Sequence, residues 1–408
     1  MTLQLAGQFL KSEANAVVDV SIVLPCLNEA DCLAACLDNA AKALAMIALS
    51  HGLSGEIVVA DNGSTDGSQA IAAAHGARVV HVARRGYGAA LIGGGQGACG
   101  RYIVFGDADG SYDFRESNAM IGELERGADL CMGSRFRGGI EKGAMPWKNR
   151  YVGNPVLTGI LNIFFGAGIS DAHCGLRAVT RETFDGLRLS GTGMEFASEM
   201  VIKAALQKRV IVEVPATLSV DLRDRAPHLR PWRDGWRHLR YLFMLSPTSV
   251  FAVPAVVGLI AASLIFMAAL LQAAFPALPQ RFGNYWIIAA SAMAAVGHQT
   301  LILALAAHIH GVREGYRLRG RKATAFASVV TLESLLVTGA VLATAGLIIL
   351  VATTLSWSAR DFAKTYSVLP AVCGTLLVIL GAQNIFGGFL LSIIGGNEAR
   401  FLDEGTAS

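Results

Sequence analysis

The stretch YIVFGDADGSYD, residues 102–113, places two carboxylates directly after a hydrophobic run. Its first half is rich in β-branched and aromatic residues, as a buried strand is, and Asp107 and Asp109 stand where that strand ends. Hard divalent cations prefer oxygen ligands and accept substrate oxygens in the same shell. We therefore expect Asp107 and Asp109 to hold one Mg²⁺ or Mn²⁺ ion at the edge of a sheet.

Similar short runs alternate with helical stretches before and after this one. They are VSIVLP at 20–25, EIVVAD at 56–61, ARVVHV at 77–82, DLCMGS at 129–134 and VIVEVP at 210–215. Such alternation is typical of an α/β fold with a mostly parallel sheet, in which ligands bind at the carboxyl ends of the strands. Asp61 ends the second of these runs, so we expect its carboxylate to hydrogen-bond a nucleobase edge or a ribose.

The glycine-rich stretch RRGYGAALIGGGQGACG, residues 84–100, contains neither a P-loop nor a dinucleotide-binding pattern in the required setting. We interpret it as a helix that packs closely against the sheet. Asn62 and Asp66, in the turn that follows Asp61, are open to two interpretations: a ligand contact, or ordinary turn and helix-cap chemistry.

The charge and cysteine content exclude several classes of protein. A net charge of +3 without a zinc-finger or helix-turn-helix pattern argues against nucleic acid as a partner. The seven cysteines lack CxxC spacing, which argues against a zinc site and a disulfide framework. The first 19 residues lack the basic and apolar regions of a signal peptide, so the first domain is expected to stay in the cytoplasm.

The second half of the chain has the composition of a membrane domain. The 408 residues are 53% hydrophobic with a mean hydropathy of +0.47, which is too apolar for an ordinary soluble protein. Four stretches, at 250–275, 285–309, 334–355 and 368–394, are long enough to cross a bilayer as helices. Six arginines lie between 223 and 240, and five basic residues between 313 and 322. Because cytoplasmic loops retain such clusters, we expect an integral protein of a bacterial-type inner membrane with both termini in the cytoplasm.

Residues 228–245, HLRPWRDGWRHLRYLFML, mix Trp232, Trp236 and Tyr241 with arginines just before the first apolar stretch. An amphipathic helix at the level of the lipid headgroups has this composition. The alternative is flanking charge that only sets the orientation of the first span.

Taken together, these motifs resemble those of the family 2 glycosyltransferases, which have the GT-A fold, and in particular the dolichol-phosphate mannose synthase branch with its bacterial polyprenyl-phosphate relatives. The segments that carry the resemblance are PCLNE at 25–29, DAD at 107–109, GSRF at 133–136, WKNRYVGN at 147–154 and SDAHCGLRAVTRE at 170–182. The resemblance implies an α/β GT-A catalytic domain, Rossmann-like with a mostly parallel sheet, followed by an all-α transmembrane domain of four helices. The expected segments are an N-terminal tail at 1–18, the GT-A domain at 19–222, an amphipathic interface segment at 223–247, four transmembrane helices at 248–396 and a cytoplasmic tail at 397–408.

For the nucleotide sugar, the resemblance implies a pocket built from strand ends and a mobile basic loop. The expected contacts are Pro25, Leu27, Glu29, Asp61, Asp107, Asp109, Arg223 and Arg225. Two positions depart from the family pattern. Leu27 stands where an aromatic residue is common, and Ser111 stands on the metal side where relatives often have Gln.

For the acceptor, the resemblance implies a lipid phosphate held by Arg135 and Arg150, with Asn154 as a further contact. Asp171 and Arg177 would shape the sugar or acceptor pocket. The expected catalytic residues are Asp109, Arg135, Arg150 and Arg177. Sugar contacts or packing residues are expected at Glu195, Glu199 and Lys203.

The implied reaction is the inverting, metal-dependent transfer of a hexose from a UDP- or GDP-sugar to a polyprenyl phosphate such as undecaprenyl or dolichyl phosphate. A lipid phosphate is ionised near neutral pH, so positioning and charge compensation would carry the catalysis. The alternatives are a different lipid acceptor, a four-helix unit that also flips the product across the membrane, and a catalytically silent binding module. The sugar, the nucleotide and the formation of a homo-oligomer stay open.

Overall fold

The structure, a computed structural model, describes residues 18–223, 231–275, 282–315, 317–318, 330–363, 367–397 and 399. The chain divides into two compact units, Met1–Leu245 and Ser246–Ser408. The first is an α/β domain, and the second consists of long apolar helices.

Within the described part of the first unit, eight strands form a single sheet. They are β1 (Val20–Cys26), β2 (Gly55–Asp61), β3 (Arg78–His81), β4 (Tyr102–Phe105), β5 (Leu130–Ser134), β6 (Gly139–Ile140), β7 (Arg177–Thr180) and β8 (Ile211–Leu218). Their order across the sheet is β3-β2-β1-β4-β7-β5-β8-β6. All neighbouring pairs are parallel except those of β7, which runs antiparallel to both β4 and β5.

The register brings the predicted site segments to one edge of the sheet. Cys26 at the end of β1 lies opposite Asp61 at the end of β2, and β4 runs parallel to β1 beside it. The reversed strand β7 starts at Arg177, which lies opposite Phe105 at the end of β4. The loop that precedes β7 therefore reaches the same edge as the carboxylates that follow β4.

All six predicted strand runs are strands, whereas β6 and β7 were not predicted. The strand β6 has only two residues, and β7 has four and lies inside the segment identified by its motif. Two residues are too few to show alternation, which explains why β6 was missed. The strand β7 is as long as β3 and β4, but its segment was interpreted only through its motif.

Nine helices complete the described part of this unit. They are α1 (Ala30–His51), α2 (Ser68–Ala74), α3 (Tyr87–Gly97), α4 (Ser117–Glu125), α5 (Arg135–Gly138), α6 (Asn154–Phe165), α7 (Arg181–Gly186), α8 (Phe196–Leu206) and α9 (Pro231–Leu245). The helix α3 is the glycine-rich stretch, and a Cβ on Gly94 would lie 2.6 Å from Val23 and 2.7 Å from Ala60. The expected close packing of this helix on the sheet is therefore confirmed.

In the described part of the chain, five helices are long and apolar enough to cross a membrane. One of them, α1, belongs to the α/β unit, where it buries a stripe that includes Leu33, Leu37 and Ala40. The other four make up the second unit: α10 (Val253–Ala274), α11 (Asn284–Arg313), α12 (Leu332–Ser358) and α13 (Leu369–Gly395). They coincide with the four predicted spans.

Small residues let α12 and α13 approach closely. A Cβ on Gly346 would lie 2.6 Å from the carbonyl oxygen of Gly374, and one on Gly381 would lie 2.6 Å from the backbone nitrogen of Ala343. Close contact between glycine faces is a common way in which membrane helices associate, because lipid offers no hydrophobic driving force between them.

Candidate active site

Asp107 lies just beyond β4 in a tightly packed position. The Tyr87 hydroxyl, on the first residue of α3, donates a hydrogen bond of 2.8 Å to Asp107 Oδ1. A Cβ on Gly175 would lie 2.6 Å from the other carboxylate oxygen. Burial, followed by the negative charge of Asp109, raises the pKa of Asp107 to about 6, although the Tyr87 hydrogen bond and the charges of Arg223 and Arg177 act in the opposite direction.

Asp109 is oriented by its own loop and by an arginine. The backbone N–H and the hydroxyl of Ser111 donate to Asp109 Oδ1 at 3.0 and 2.6 Å. The guanidinium of Arg223 lies 3.2 Å from Asp109 Oδ2. Ser111 therefore orients the Asp109 carboxylate through these two hydrogen bonds.

Arg223 joins two of the predicted nucleotide-sugar segments. Besides Asp109, its guanidinium contacts the buried Glu29 carboxylate, with Nη2 2.9 Å from Oε1 and Nε 3.0 Å from Oε2. Burial alone would lower the pKa of Arg223, but the hydrogen bond to Glu29 and the charges of Asp109 and Glu29 raise it. Arg223 is thus a permanent cation between the two loops. Arg225 lies outside the described residues.

Asp107 and Asp109 could together supply part of the ligand set of a metal ion. Burial and, after it, the charge of Asp109 raise the pKa of Asp107, so a cation beside the pair would favour its ionised form. Within the described ranges, no group of three or more His, Cys, Asp or Glu side chains is placed to hold a metal. Two carboxylates offer two oxygen ligands, and an ion held by them would take its other ligands from substrate oxygens and water.

Asp61, at the end of β2, is held as a carboxylate by its turn. It accepts hydrogen bonds from the backbone N–H groups of Gly63 and Ser64 at 3.2 and 3.1 Å and from Gln69 Nε2 at 3.1 Å. Burial would raise the pKa of Asp61, but hydrogen bonds from Ser64, Gln69 and Gly63 outweigh it and lower the pKa.

The two nucleotide-side loops are tied together. Asn28, which has a positive φ of 57°, accepts from the Thr65 N–H at 2.8 Å, and its own N–H donates to the Ser64 hydroxyl at 2.9 Å. Pro25 and Leu27 lie partly exposed on the same segment. The structure thus brings Pro25, Leu27, Glu29 and Asp61 to one edge of the sheet, and their contact with a nucleotide sugar stays a prediction.

Arg135 and Asp171 form a buried, two-point ion pair. Arg135 Nε and Nη2 each donate a 2.7 Å hydrogen bond to Asp171, and the Arg135 backbone N–H donates a third at 3.1 Å. This pair connects α5, which follows β5, to the loop before β7. The sequence motifs assigned the two residues to separate tasks and did not indicate that they contact each other.

Arg177 is also buried, and its contacts are with the main chain. Its guanidinium donates to the carbonyl oxygens of Cys174 and Ala197 and lies 5.9 Å from the ring centre of Phe196. Its charge acts to lower the pKa of Asp107. Arg177 thus ties the loop before β7 to α8.

Arg150 and Asn154 lie apart from this group. Arg150 belongs to a π-helical turn, Asn149–Gly153, and its guanidinium lies 5.4 Å from the ring centre of Tyr151. Asn154 donates to Met145 Sδ at 3.5 Å. Among the described residues, neither side chain is hydrogen-bonded or ion-paired to the carboxylates or to Arg135.

The three residues around α8 have different environments. Lys203 Nζ lies 2.8 Å from Glu199 Oε1 in a fully buried pair, and Glu199 also accepts from the backbone of Ser190 and Gly191. This pair ties α8 to the main chain at Ser190 and Gly191. Glu195 accepts from the Gly193 N–H, and its buried Oε2 has no hydrogen-bond partner in the described part of the chain.

Comparison with known proteins identifies the family of this chain. Residues 21–188 match glycosyl transferase family 2, and residues 305–395 match the family 2 C-terminal transmembrane region. Over 394 residues, the chain is 33% identical to the low-salt glycan biosynthesis hexosyltransferase Agl6 of Haloferax volcanii. The aligned region covers 95% of this chain and 91% of that protein. The chain belongs to glycosyltransferase family 2.

This glycosyltransferase has further relatives that match about half of the chain. It is 26% identical to the dolichol-phosphate mannosyltransferase of Pyrococcus furiosus over 55% of this chain and 63% of that protein. It is 33% identical to the polyprenol monophosphomannose synthase of Mycolicibacterium smegmatis over 40% of this chain and 66% of that protein. The predicted family, enzyme class and fold class, including the transmembrane helices after the GT-A-like domain, are confirmed.

Tyr87 and His173 were not among the predicted site residues, whereas the sequence left Asn62 open between a ligand contact and turn chemistry. Tyr87 supports Asp107, and Asn62 accepts from the Gly86 N–H at 2.7 Å and so holds the start of α3. His173 Nε2 lies 3.2 Å from the Ser198 hydroxyl, which lies 2.8 Å from His238 Nδ1 on α9. Tyr87 begins the glycine-rich helix α3, and the sequence of this stretch predicted only that the helix packs closely against the sheet. No local pattern marks His173.

Proposed function

We propose that this glycosyltransferase moves a hexose from a UDP- or GDP-sugar to a polyprenyl phosphate, with inversion at the anomeric carbon. The observation that carries the proposal is the Asp107/Asp109 pair at the strand edge, faced by the cation Arg223. The names of the P. furiosus and M. smegmatis relatives support a lipid phosphate as the acceptor.

The nucleotide is proposed to lie along the ends of β1 and β2. The Asp61 carboxylate, whose pKa is lowered, is suited to accept hydrogen bonds from a base edge or a ribose. Pro25 and Leu27 would pack against the base, and Glu29 would position Arg223. Arg225 is proposed to act with Arg223 on the diphosphate.

The diphosphate is proposed to lie over Asp107 and Asp109. A Mg²⁺ or Mn²⁺ ion held by these two carboxylates would stabilise the charge that develops on the departing diphosphate. Arg223 contributes a second positive charge on the same side, because it already contacts Asp109. Ser111 and Tyr87 would keep the two carboxylates oriented.

The acceptor phosphate is proposed to be held by Arg135 and Arg150, with Asn154 as a further contact. Because Asp171 binds Nε and Nη2 of Arg135, the guanidinium is fixed in orientation before any ligand arrives. An ionised phosphate needs no general base to attack the anomeric carbon, so preorganised charge and alignment are the main catalytic factors.

A lipid acceptor also requires that the catalytic unit reach the bilayer surface. The helices α6 and α9 pack together, with the Phe164 and Phe243 rings 5.8 Å apart. Large apolar side chains are exposed on and around this pair: Trp147, Tyr151, Val156, Ile163, Trp236 and Met244. We propose that this face, with the exposed Arg233 and Arg240, lies among the lipid headgroups on the cytoplasmic side.

The test is sugar transfer in isolated membranes. Membranes that contain the wild type are incubated with labelled UDP- and GDP-hexoses and undecaprenyl phosphate, and the organic-soluble label is counted. We expect Asp109→Asn to lower the transfer by about 100-fold or more while expression and membrane insertion stay unchanged. Asp113→Asn, the same change four residues away in a helix-capping position, is the matched control. Near-normal turnover by Asp109→Asn would contradict the role of the carboxylate pair.

A further inference from the structure

The membrane unit carries an open groove of about 300 Å³ between α11 and α13. Its lining includes Gln299, Ile379, Gln383, Phe386 and Leu390. Phe386 is 72% exposed and projects beside the groove. The surface therefore combines a hollow, a protruding ring and one exposed carboxamide, that of Gln299.

The neighbouring polar side chains of the spans are satisfied inside the unit. His298 Nδ1 lies 2.9 Å from Gln383 Oε1, and Gln383 Nε2 donates to the Ala295 carbonyl at 3.2 Å. Asn384 donates to Thr338 Oγ1 at 3.3 Å, and Thr300 donates to the Val296 carbonyl at 2.6 Å. These groups stabilise contacts within and between helices.

Gln299 differs from all of these. It is exposed, and no other described residue hydrogen-bonds to its carboxamide. It stands at the middle of the 30-residue helix α11, so about 22 Å of helix extends on either side of it. In a hydrocarbon layer about 30 Å thick, this position is close to the centre of the bilayer.

The position of Gln299 limits what can cover the groove. Acyl and isoprenoid chains offer no hydrogen bonds, and headgroups lie roughly 15 Å away from the centre of the layer. An amide that faces hydrocarbon without a partner is costly. The occupant must therefore bring a hydrogen-bonding group to mid-membrane depth, and a protein helix with a polar side chain does so.

We propose that the occupant is a second copy of this chain, related by a two-fold axis that passes close to Gln299. A carboxamide has both a donor and an acceptor, so two facing Gln299 side chains can make two hydrogen bonds to each other. A two-fold contact requires one surface to complement itself. The groove beside the projecting Phe386 meets this requirement, because the ring of each copy can enter the hollow of the other.

The first experiment measures self-association of the full chain in liposomes by energy transfer between donor- and acceptor-labelled copies, as the protein-to-lipid ratio is lowered. We expect Gln299→Leu to need about a tenfold higher ratio for half-maximal transfer, as the loss of one to two kcal/mol of hydrogen bonding in a membrane would cause. The control is Thr354→Leu, since Thr354 is exposed on α12 and its hydroxyl bonds within its own helix. This control should behave as the wild type.

The second experiment uses disulfide formation and does not depend on the stability of the leucine variant. In a background without the exposed Cys99 and the partly exposed Cys373, Gln299→Cys should form a cross-linked dimer under mild oxidation. Val341→Cys, exposed on α12, should not. A wild type that stays monomeric at every ratio would overturn the proposal, as would self-association without cross-linking at position 299.

Discussion

At Asp107, burial and the charge of Asp109 raise the carboxyl pKa to about 6, and the Tyr87 hydroxyl partly offsets this rise. A carboxyl group must be ionised to ligate a metal, so activity should fall as the pH drops below about 6. Tyr87→Phe removes a hydrogen bond that lowers the pKa, so the acid limb of the pH–rate profile should move to higher pH. We expect kcat near pH 7 to fall about tenfold.

The control for this variant is Tyr102→Phe, a hydroxyl removed from β4, whose ring lies beside Arg101. It should leave the pH profile unchanged. If Tyr87→Phe kept the wild-type acid limb, the hydrogen bond would have no influence on Asp107.

The Arg135–Asp171 ion pair should be sensitive to the loss of one partner. Asp171→Ala leaves a buried guanidinium without compensation, which typically costs 3–5 kcal/mol. Thermal unfolding of the detergent-solubilised protein should show a large drop in Tm. Exchange of both partners for apolar residues, Arg135→Met with Asp171→Leu, should restore much of the stability while sugar transfer stays lost. Recovery of activity in the double variant would show that Arg135 has no role toward the acceptor.

At the scale of the elements, the exposed face of α6 and α9 is testable through the length of the acceptor. Ile163→Asp places a charge on a side chain that is 81% exposed, so folding should be little affected. Transfer to long-chain polyprenyl phosphate in membranes should fall several-fold, because a charge on this face weakens contact with the bilayer. Transfer to a short, water-soluble prenyl phosphate should not change.

Leu49→Asp is the matched control, because Leu49 is 90% exposed near the end of α1. An equal loss with both acceptors in Ile163→Asp would mean that the substitution damages the site itself. An equal loss in Leu49→Asp would mean that added charge at any exposed position is harmful.

How far the sequence could be read depends on the range of the interactions involved. Six of the eight strands and the carboxylates after β4 follow from local hydrophobic runs, so Asp61, Asp107 and Asp109 could be placed at one edge. The pairing of Arg135 with Asp171 joins residues 36 positions apart, and the contact of Tyr87 with Asp107 joins residues 20 positions apart. The order of the strands, in which β7 separates β4 from β5, determines which of these distant residues meet. No local pattern encodes that order.

At the scale of the whole molecule, the basic clusters predict that the catalytic unit and both termini face the cytoplasm. Cys99 is exposed in the catalytic unit and is a natural reporter. A membrane-impermeant maleimide applied to intact cells should label Cys99 only after permeabilisation. Arg360→Cys in a Cys99→Ser background should be labelled from outside, since residue 360 is exposed in the loop between α12 and α13. The reverse labelling pattern would invert the topology.

The antiparallel strand β7 has a consequence for the order in which the enzyme matures during synthesis. The strands β1 to β4 all lie within the first 105 residues, whereas β4 and β5 do not pair with each other and are linked only through β7, at residues 177–180. Gly175, which packs against Asp107, arrives with the same segment. A nascent chain that stops before residue 175 therefore has both aspartates but lacks Gly175, which packs against Asp107 in the folded domain. The carboxylate pair reaches its final geometry only after β7 has paired with β4 and β5.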